Sequence, residues 1–199
     1  MTTLPRENGL LTTASQRARR ERILAATVEL ASHGGFDSVQ MREVADKAEV
    51  ALGTLYRYFP SKIHLLVSAM AEEVERIRDR ALRQPPTSND PCERVLQVLE
   101  RAFRALQRAP GFSSAMVRAV MSADETVAEE VERVTNAMTS LVTIAMYGQA
   151  HEPDEHDRLV ANVIGKVWLT DIQSWLSGRT TPEQMWADLS AAVRLILRG

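Results

Sequence analysis

Between Val39 and Lys62 the chain reads V-Q-M-R-E-V-A-D-K-A-E-V-A-L-G-T-L-Y-R-Y-F-P-S-K, and no other stretch limits its possible folds as tightly. Over Val39–Ala48, the residues Met41, Val44, Ala45 and Ala48 recur at the spacing of one helical face. Ala48-Glu49-Val50 forms a turn. A second short helix covers Ala51–Tyr58, and Pro60 blocks its continuation because proline has no amide hydrogen to donate. Two helices joined by so short a turn make a helix-turn-helix, whose second helix enters the DNA major groove. That helix is too short to stand alone. Leu55 must face inward to hold it, with Val50 just before and Phe59 just after.

The outward face carries Gly53, Thr54 and Arg57, flanked by Tyr56 and Tyr58. Gly53 lets a backbone approach closely. Thr54 can hydrogen-bond a base edge or touch a thymine methyl. Arg57 and the tyrosine hydroxyls reach phosphates, and Ser61-Lys62 opens the next helix with free amides and an ammonium for another phosphate. Leu52, Gly53 and Thr54 are expected on bases, while Gln40, Arg42, Tyr56, Arg57, Tyr58 and Lys62 complete the DNA-contacting set. A plain core hairpin would waste burial on two tyrosines, a threonine and two cations.

The run G-T-L-Y-R-Y-F-P-S-K resembles the signature of TetR-type transcriptional repressors. The resemblance is close over roughly the first third of the chain and is otherwise one of length and helix count. It implies an all-α homodimer of about nine helices, with an N-terminal three-helix DNA-binding domain and a C-terminal helical domain for ligand binding and dimerisation. A narrower likeness extends from Ser38 through Met70, with V-W-L-T and W-L-S-G-R near the far end. It is to the actinobacterial repressors of cholesterol catabolism, and it implies steroid CoA-thioester inducers and lipid-catabolism target genes. Two residues depart from the family pattern. Glu49 stands where glycine is usual in the turn, and a left-handed conformation there costs about 1–2 kcal/mol. Ala51 replaces the usual serine cap.

The chain of 199 residues is 45% hydrophobic and 25% charged, an ordinary globular composition. No run approaches a membrane span and the first residues lack a signal-peptide core, so a cytoplasmic location without membrane association is expected. The single cysteine, Cys92, excludes an intramolecular disulfide and a cysteine-based zinc cluster. Net charge is −2, with nine Lys/Arg against seven Asp/Glu in residues 1–64. This is compatible with a small positive face on an otherwise acidic protein.

Residues 1–14 read as a flexible arm, 15–61 as the DNA-binding domain and 62–199 as the ligand-binding and dimerisation domain. Ser15 caps a first helix reaching about His33, stopped by Gly34-Gly35. Its arginines, Arg17 to Arg22, either touch phosphates or form a solvated face. A long helix, about Lys62–Gln84, carries Leu66, Met70, Val74, Ile77 and Ala81 on one stripe. Asp90-Pro91 restarts a helix, Pro110-Gly111 breaks the chain again before a shorter helix to about Met121, and Asp124 begins one reaching about Tyr147, closed by Gly148. The last two helices cover about 154–177 and 182–198. His151 and His156 lie among carboxylates in a loop with no template to fix metal ligands, and no metal or cofactor is expected.

The apolar C-terminal half is larger than a dimer clamp requires. Phe103, Phe112, Met116, Val120, Met138, Leu141 and Trp168 are expected to surround a hydrophobic inducer. Asp171 falls among the apolar residues of its helix, as a polar anchor for that ligand or as the partner of Arg104 or Arg118. Trp186, Leu189, Val193 and Leu197 are expected at the dimer interface, since a two-fold protein matches a palindromic double-stranded operator. Without strands, phosphate-binding loops or a catalytic set, an enzyme is not expected. The alternatives are a fatty acyl-CoA or drug-like inducer, or a DNA-binding protein that answers to no ligand.

Overall fold

The computed structural model describes the backbone of residues 7–198 and the side chains of residues 14–198. Among the described residues the elements are helical throughout: α1 (Glu7–Ser38), α2 (Met41–Lys47), α3 (Leu52–Tyr58), α4 (Lys62–Arg83), α5 (Pro91–Arg108), α6 (Pro110–Met121), a single 3-10 turn (Glu125–Val127), α7 (Ala128–Tyr147), α8 (Glu155–Leu176) and α9 (Pro182–Arg198). This is the all-α architecture expected from the sequence, with α1–α3 as the helix-turn-helix domain.

The first helix differs from expectation at its start. It begins at Glu7, ahead of Ser15, so residues 7–14 of the expected arm are helical and residues 1–6 lie outside the described residues. Its far end breaks where two glycines stand together, with Gly35 at φ 68° and ψ −155°. Elsewhere the sequence punctuation acts as read. Asp90 accepts the Cys92 amide at 2.9 Å, with Pro91 in the first turn of α5. Asp154 and Asp157 form a reciprocal capping box on α8. Ser61 accepts the His64 amide at the start of α4, and Gly148 closes α7 at φ 72°. Ala51 makes no side-chain cap, and Glu49 stands at φ 54°, so the turn carries the strain its sequence implied.

Two apolar cores result. One gathers Ile23, Val44, Leu55 and Phe59 around the recognition helix α3, joined by Phe112, Ala115 and Met116 of α6. The other packs Leu99, Phe103, Leu141, Ile164, Trp168 and Leu189 from α5, α7, α8 and α9. Helix α4 serves both, through Leu65, Leu66 and Val67 near its start and Ile77 and Ala81 near its end.

Helix α6 crosses α1 at Gly111. A Cβ at this position would lie 2.8 Å from the Ala31 carbonyl oxygen and 2.9 Å from that of Ser32, both rigid backbone atoms. Gly111→Ala should therefore force α6 off α1 and destabilise the chain by about 1–3 kcal/mol, the usual penalty of overpacking. Chemical denaturation checks this against Gly53→Ala, which meets nothing within 4 Å and should unfold at the wild-type midpoint or above. Equal midpoints for Gly111→Ala and wild type would refute the tight crossing.

Candidate functional site

Helices α2 and α3 present the sequence-expected DNA residues unevenly. Gln40, Arg42, Gly53, Tyr56 and Arg57 are exposed, and the space above Gly53 is open. Thr54 and Tyr58 are half-buried, and Tyr58 leans on Phe59 with ring centroids 6.4 Å apart. Leu52 is half-buried against the first core, which leaves it only partly available to a base.

Lys62 is already engaged. Its Nζ donates to the Phe36 carbonyl at 3.0 Å and stands 4.3 Å from the centre of the Phe36 ring, whose ring also carries Arg118 at 4.3 Å. Burial lowers the Lys62 ammonium below the usual lysine range, against the pull of Asp37. A phosphate contact by Lys62 would compete with these partners. The arginines of α1 also divide. Arg20 is held by Glu72, and Arg22 donates to the Ala48 carbonyl at 3.4 Å, whereas Arg17 is exposed and borders a cleft with Tyr58.

Between the two cores lies a cavity of about 290 Å³. Helix α4 gives it Met70, Glu73, Val74 and Ile77, and α5 gives Ala102 and Leu106. Met116, Val117 and Val120 come from α6, and Val131, Val134, Met138 and Leu141 from α7. Trp168, Leu169 and Ile172 close it from α8, beside Gly165. Three lining residues are exposed, Thr135 on α7 and Asn162 and Lys166 on α8, so the mouth lies between these helices and is polar where the interior is apolar. Such a lumen takes a hydrocarbon body and leaves a hydrophilic end in water.

Five of the seven expected wall residues line this cavity: Met116, Val120, Met138, Leu141 and Trp168. Phe103 and Phe112 do not. Phe103 turns into the C-terminal core, edge-on to Trp168 and Trp175, and Phe112 fills the N-terminal core beneath α1. Helical periodicity marks both as inward-facing but cannot say which of two cores they enter. The wall contributed by α4 was missed, although its stripe Met70, Val74, Ile77 was legible as an apolar face.

Asp171 is neither a cavity wall nor an arginine's partner. Arg104 pairs with Glu100 and Arg118 with Asp37. Asp171 instead sits where α8 meets α9, with one carboxylate oxygen buried and unbonded. Burial, and then the neighbouring Asp188, push its carboxyl above the usual aspartate range.

Two of the four expected interface residues also need correction. Leu189 and Val193 are wholly buried in the chain's own core, and Trp186 and Leu197 pack on that core half-buried. The apolar stripe of α9 was read correctly, but it faces α5 and α8 of the same chain. The large apolar side chains that α8 and α9 leave in solvent are Leu159 at 60%, Val163 at 38% and Leu195 at 77% exposure, with exposed Ala187 and Ala191 two turns and one turn before Leu195. In the loop before α8, His151 stacks on Tyr147 and stands 3.4 Å from the buried Asp157. Among the described residues no three metal-binding side chains converge, and no helix is long and apolar enough to cross a membrane.

Residues 23–69 match the family of bacterial regulatory proteins called tetR, and residues 88–196 match the tetracyclin repressor-like C-terminal domain. The chain belongs to the TetR family. Regulators of this family bind DNA and are not enzymes, and this chain is a ligand-responsive transcriptional repressor of that type. Operator binding and homodimerisation are typical of the family. The chain is 48% identical to the HTH-type transcriptional repressor KstR of Rhodococcus jostii (strain RHA1), over 94% of this chain and 86% of that protein. A crystal structure of a TetR transcriptional regulator from Rhodococcus sp. RHA1 superposes with a TM-score of 0.84 at 36% identity, covering 92% and 97% of the two chains. The fold is shared more distantly with Thermus thermophilus FadR in complex with lauroyl-CoA, with TM-score 0.71, 20% identity, and 90% and 94% coverage.

Asp171→Asn removes a charge that folding disfavours. Because the folded carboxyl titrates above its unfolded value, the acid form stabilises the fold below the ordinary aspartate range of about 3.9, and this is lost as pH rises through the folded value. The Asn variant should melt higher than wild type at neutral pH, with the gain vanishing at acid pH. A lower melting temperature at neutral pH would mean that the carboxylate has a cationic partner.

Proposed function

We propose that this chain is a homodimeric repressor released from a palindromic operator by a steroid CoA thioester, and that it controls steroid or lipid catabolism genes. The observation that carries the ligand class is the apolar cavity with a polar mouth. At about 290 Å³ it can enclose only the hydrocarbon part of such a molecule. The coenzyme A portion would lie outside, beside Asn162 and Lys166, where an ammonium meets an anionic phosphate. The likeness to KstR supports the steroid thioester over other apolar ligands. DNA reading is assigned to α3, with Gly53 and Thr54 on bases and Tyr56, Arg57 and Arg17 on phosphates. In the dimer the two copies of α3 stand about 34–36 Å apart, or a multiple, to meet successive major-groove faces.

A gel shift on DNA upstream of the chain's own gene tests this. A steroid-acid CoA thioester should release the DNA, while lauroyl-CoA and an uncharged apolar drug should not. Gly165→Leu, which grows a side chain into the lumen toward Met138, should bind DNA normally and resist release. Gly53→Val should stay folded and lose the specific shift. Release by lauroyl-CoA alone would reassign the ligand class. No response to any of the three would favour a repressor that answers to no ligand of this kind.

The dimer interface is assigned to the solvent-facing stripes of α8 and α9, around Leu159, Val163, Ala187, Ala191 and Leu195. Leu195→Glu should yield monomers by sedimentation and a large loss of operator affinity with helix content intact. A stable Leu195→Glu dimer would move the interface to another face.

A further inference from the structure

The cavity wall and a cluster of four charges share the same helical turns. On α7, Arg133 is flanked by Val131 and Val134, which line the cavity. On α4, Glu72 and Glu75 bracket Glu73 and Val74, which line it too. Arg133 grips α4 through three hydrogen bonds. Its Nε donates to Glu75 Oε1 at 2.7 Å, and its Nη2 donates to Glu75 Oε2 at 2.6 Å and to Glu72 Oε1 at 3.0 Å. The same Glu72 oxygen accepts a bond from Arg20 Nη1 on α1. The Arg20 guanidinium in turn lies over the ring of Phe59, 5.7 Å from its centre. Phe59 is the residue that ends α3 and anchors it in the N-terminal core.

These contacts are not an ordinary surface decoration. The four side chains are between 22% and 35% exposed, and the Arg133–Glu75 pair is a two-pronged fork. Burial pushes the Glu72 carboxyl up, but hydrogen bonds from Arg133 and Arg20 outweigh it and hold the group below the usual range. Glu72 is therefore ionised at neutral pH and bound to both arginines at once. The geometry also limits the ways the cluster can move. Widening the gap between α4 and α7 must break the fork, and whatever displaces Arg133 changes the compensation that Glu72 offers Arg20. The fork is either made or broken, the kind of discrete alternative that coupling between distant sites needs.

We propose that Arg133, Glu72 and Arg20 form a relay through which occupancy of the cavity changes the seating of the recognition helix α3. The relay rests on the ligand reading above only for what fills the cavity. A second route from cavity to DNA-binding domain runs through α6, where Arg118 covers Phe36, and the experiment separates the two.

Three full-length variants are compared with wild type: Arg133→Met, the swap of Arg133→Glu with Glu75→Arg, and Arg118→Met as the control for α6. Amide hydrogen exchange is measured without ligand, and operator affinity with and without a steroid-acid CoA thioester. In Arg133→Met, exchange at residues 52–58 should rise, and the thioester's effect on operator affinity should shrink, each by about 2- to 30-fold, with thioester affinity within about twofold of wild type. The swap re-forms a pair between α7 and α4 but sets a second carboxylate beside Glu72, so it should restore neither, and Arg118→Met should change neither. If Arg133→Met does not fold, Arg133→Lys takes its place, keeping the charge and losing the fork. Changes confined to α4 and α7, or a lower melting temperature with a wild-type release ratio, overturn the relay. If no thioester affects wild type while Arg133→Met still loosens residues 52–58, the relay stands and the ligand reading falls.

Discussion

One helix belongs to two cores, and the remaining architecture follows from that. Helix α4 has 22 residues and so reaches about 33 Å, beginning beside the recognition helix and ending under the ligand domain. Its early apolar residues, Leu65 to Val67, cannot leave the N-terminal core without unseating Leu55 and Phe59. Its middle, Met70 to Ile77, forms one wall of the cavity. A packed core resists continuous deformation, because its side chains interlock at crystal-like density. The packing therefore ties the wall of the cavity to the seat of the recognition helix through one continuous helix. Gly111 reinforces this on the other side, letting α6 press closely on the carbonyls of α1.

The cavity itself is a choice against stability. Apolar side chains facing empty space forgo the dispersion contacts that a filled core would supply. Small and flexible residues keep it open: Gly165 and Ala161 on α8, Met116 and Met138 opposite. Met side chains adapt to different shapes at little energetic cost. The polar groups at the mouth, Asn162 and Lys166, come from α8 itself, one turn apart and next to its solvent-facing stripe.

Basic residues in the N-terminal domain carry two kinds of work. Arg20 and Lys62 are bound internally, to Glu72 and Phe36, and Arg22, though exposed, reaches the Ala48 carbonyl. Arg17, Arg42 and Arg57 remain exposed. Composition counts these six alike, which is why the charge balance of residues 1–64 says little about DNA. Their division depends on which acidic, carbonyl or aromatic groups the fold brings near.

Local chemistry in the sequence determined the helices and their ends. Pro60, Asp90-Pro91, Gly148 and Asp154 act within a few residues of themselves, so a linear reading finds them. The helix-turn-helix was legible for the same reason, down to the left-handed Glu49 and the uncapped Ala51. Only the tertiary structure decided partners. Periodicity showed that Phe103, Phe112, Leu189 and Val193 turn inward, but inward toward which neighbour is set by how helices cross. Phe112 therefore went to the N-terminal core, and Leu189 and Val193 to the chain's own core. Asp171 was recognisable as a misplaced carboxylate, yet its surroundings at α9 were not. The link from Arg133 through Glu72 to Arg20 joins residues 61 and 52 positions apart, and no periodicity spans such a distance. Contacts of that range exist only once α1, α4 and α7 have packed together.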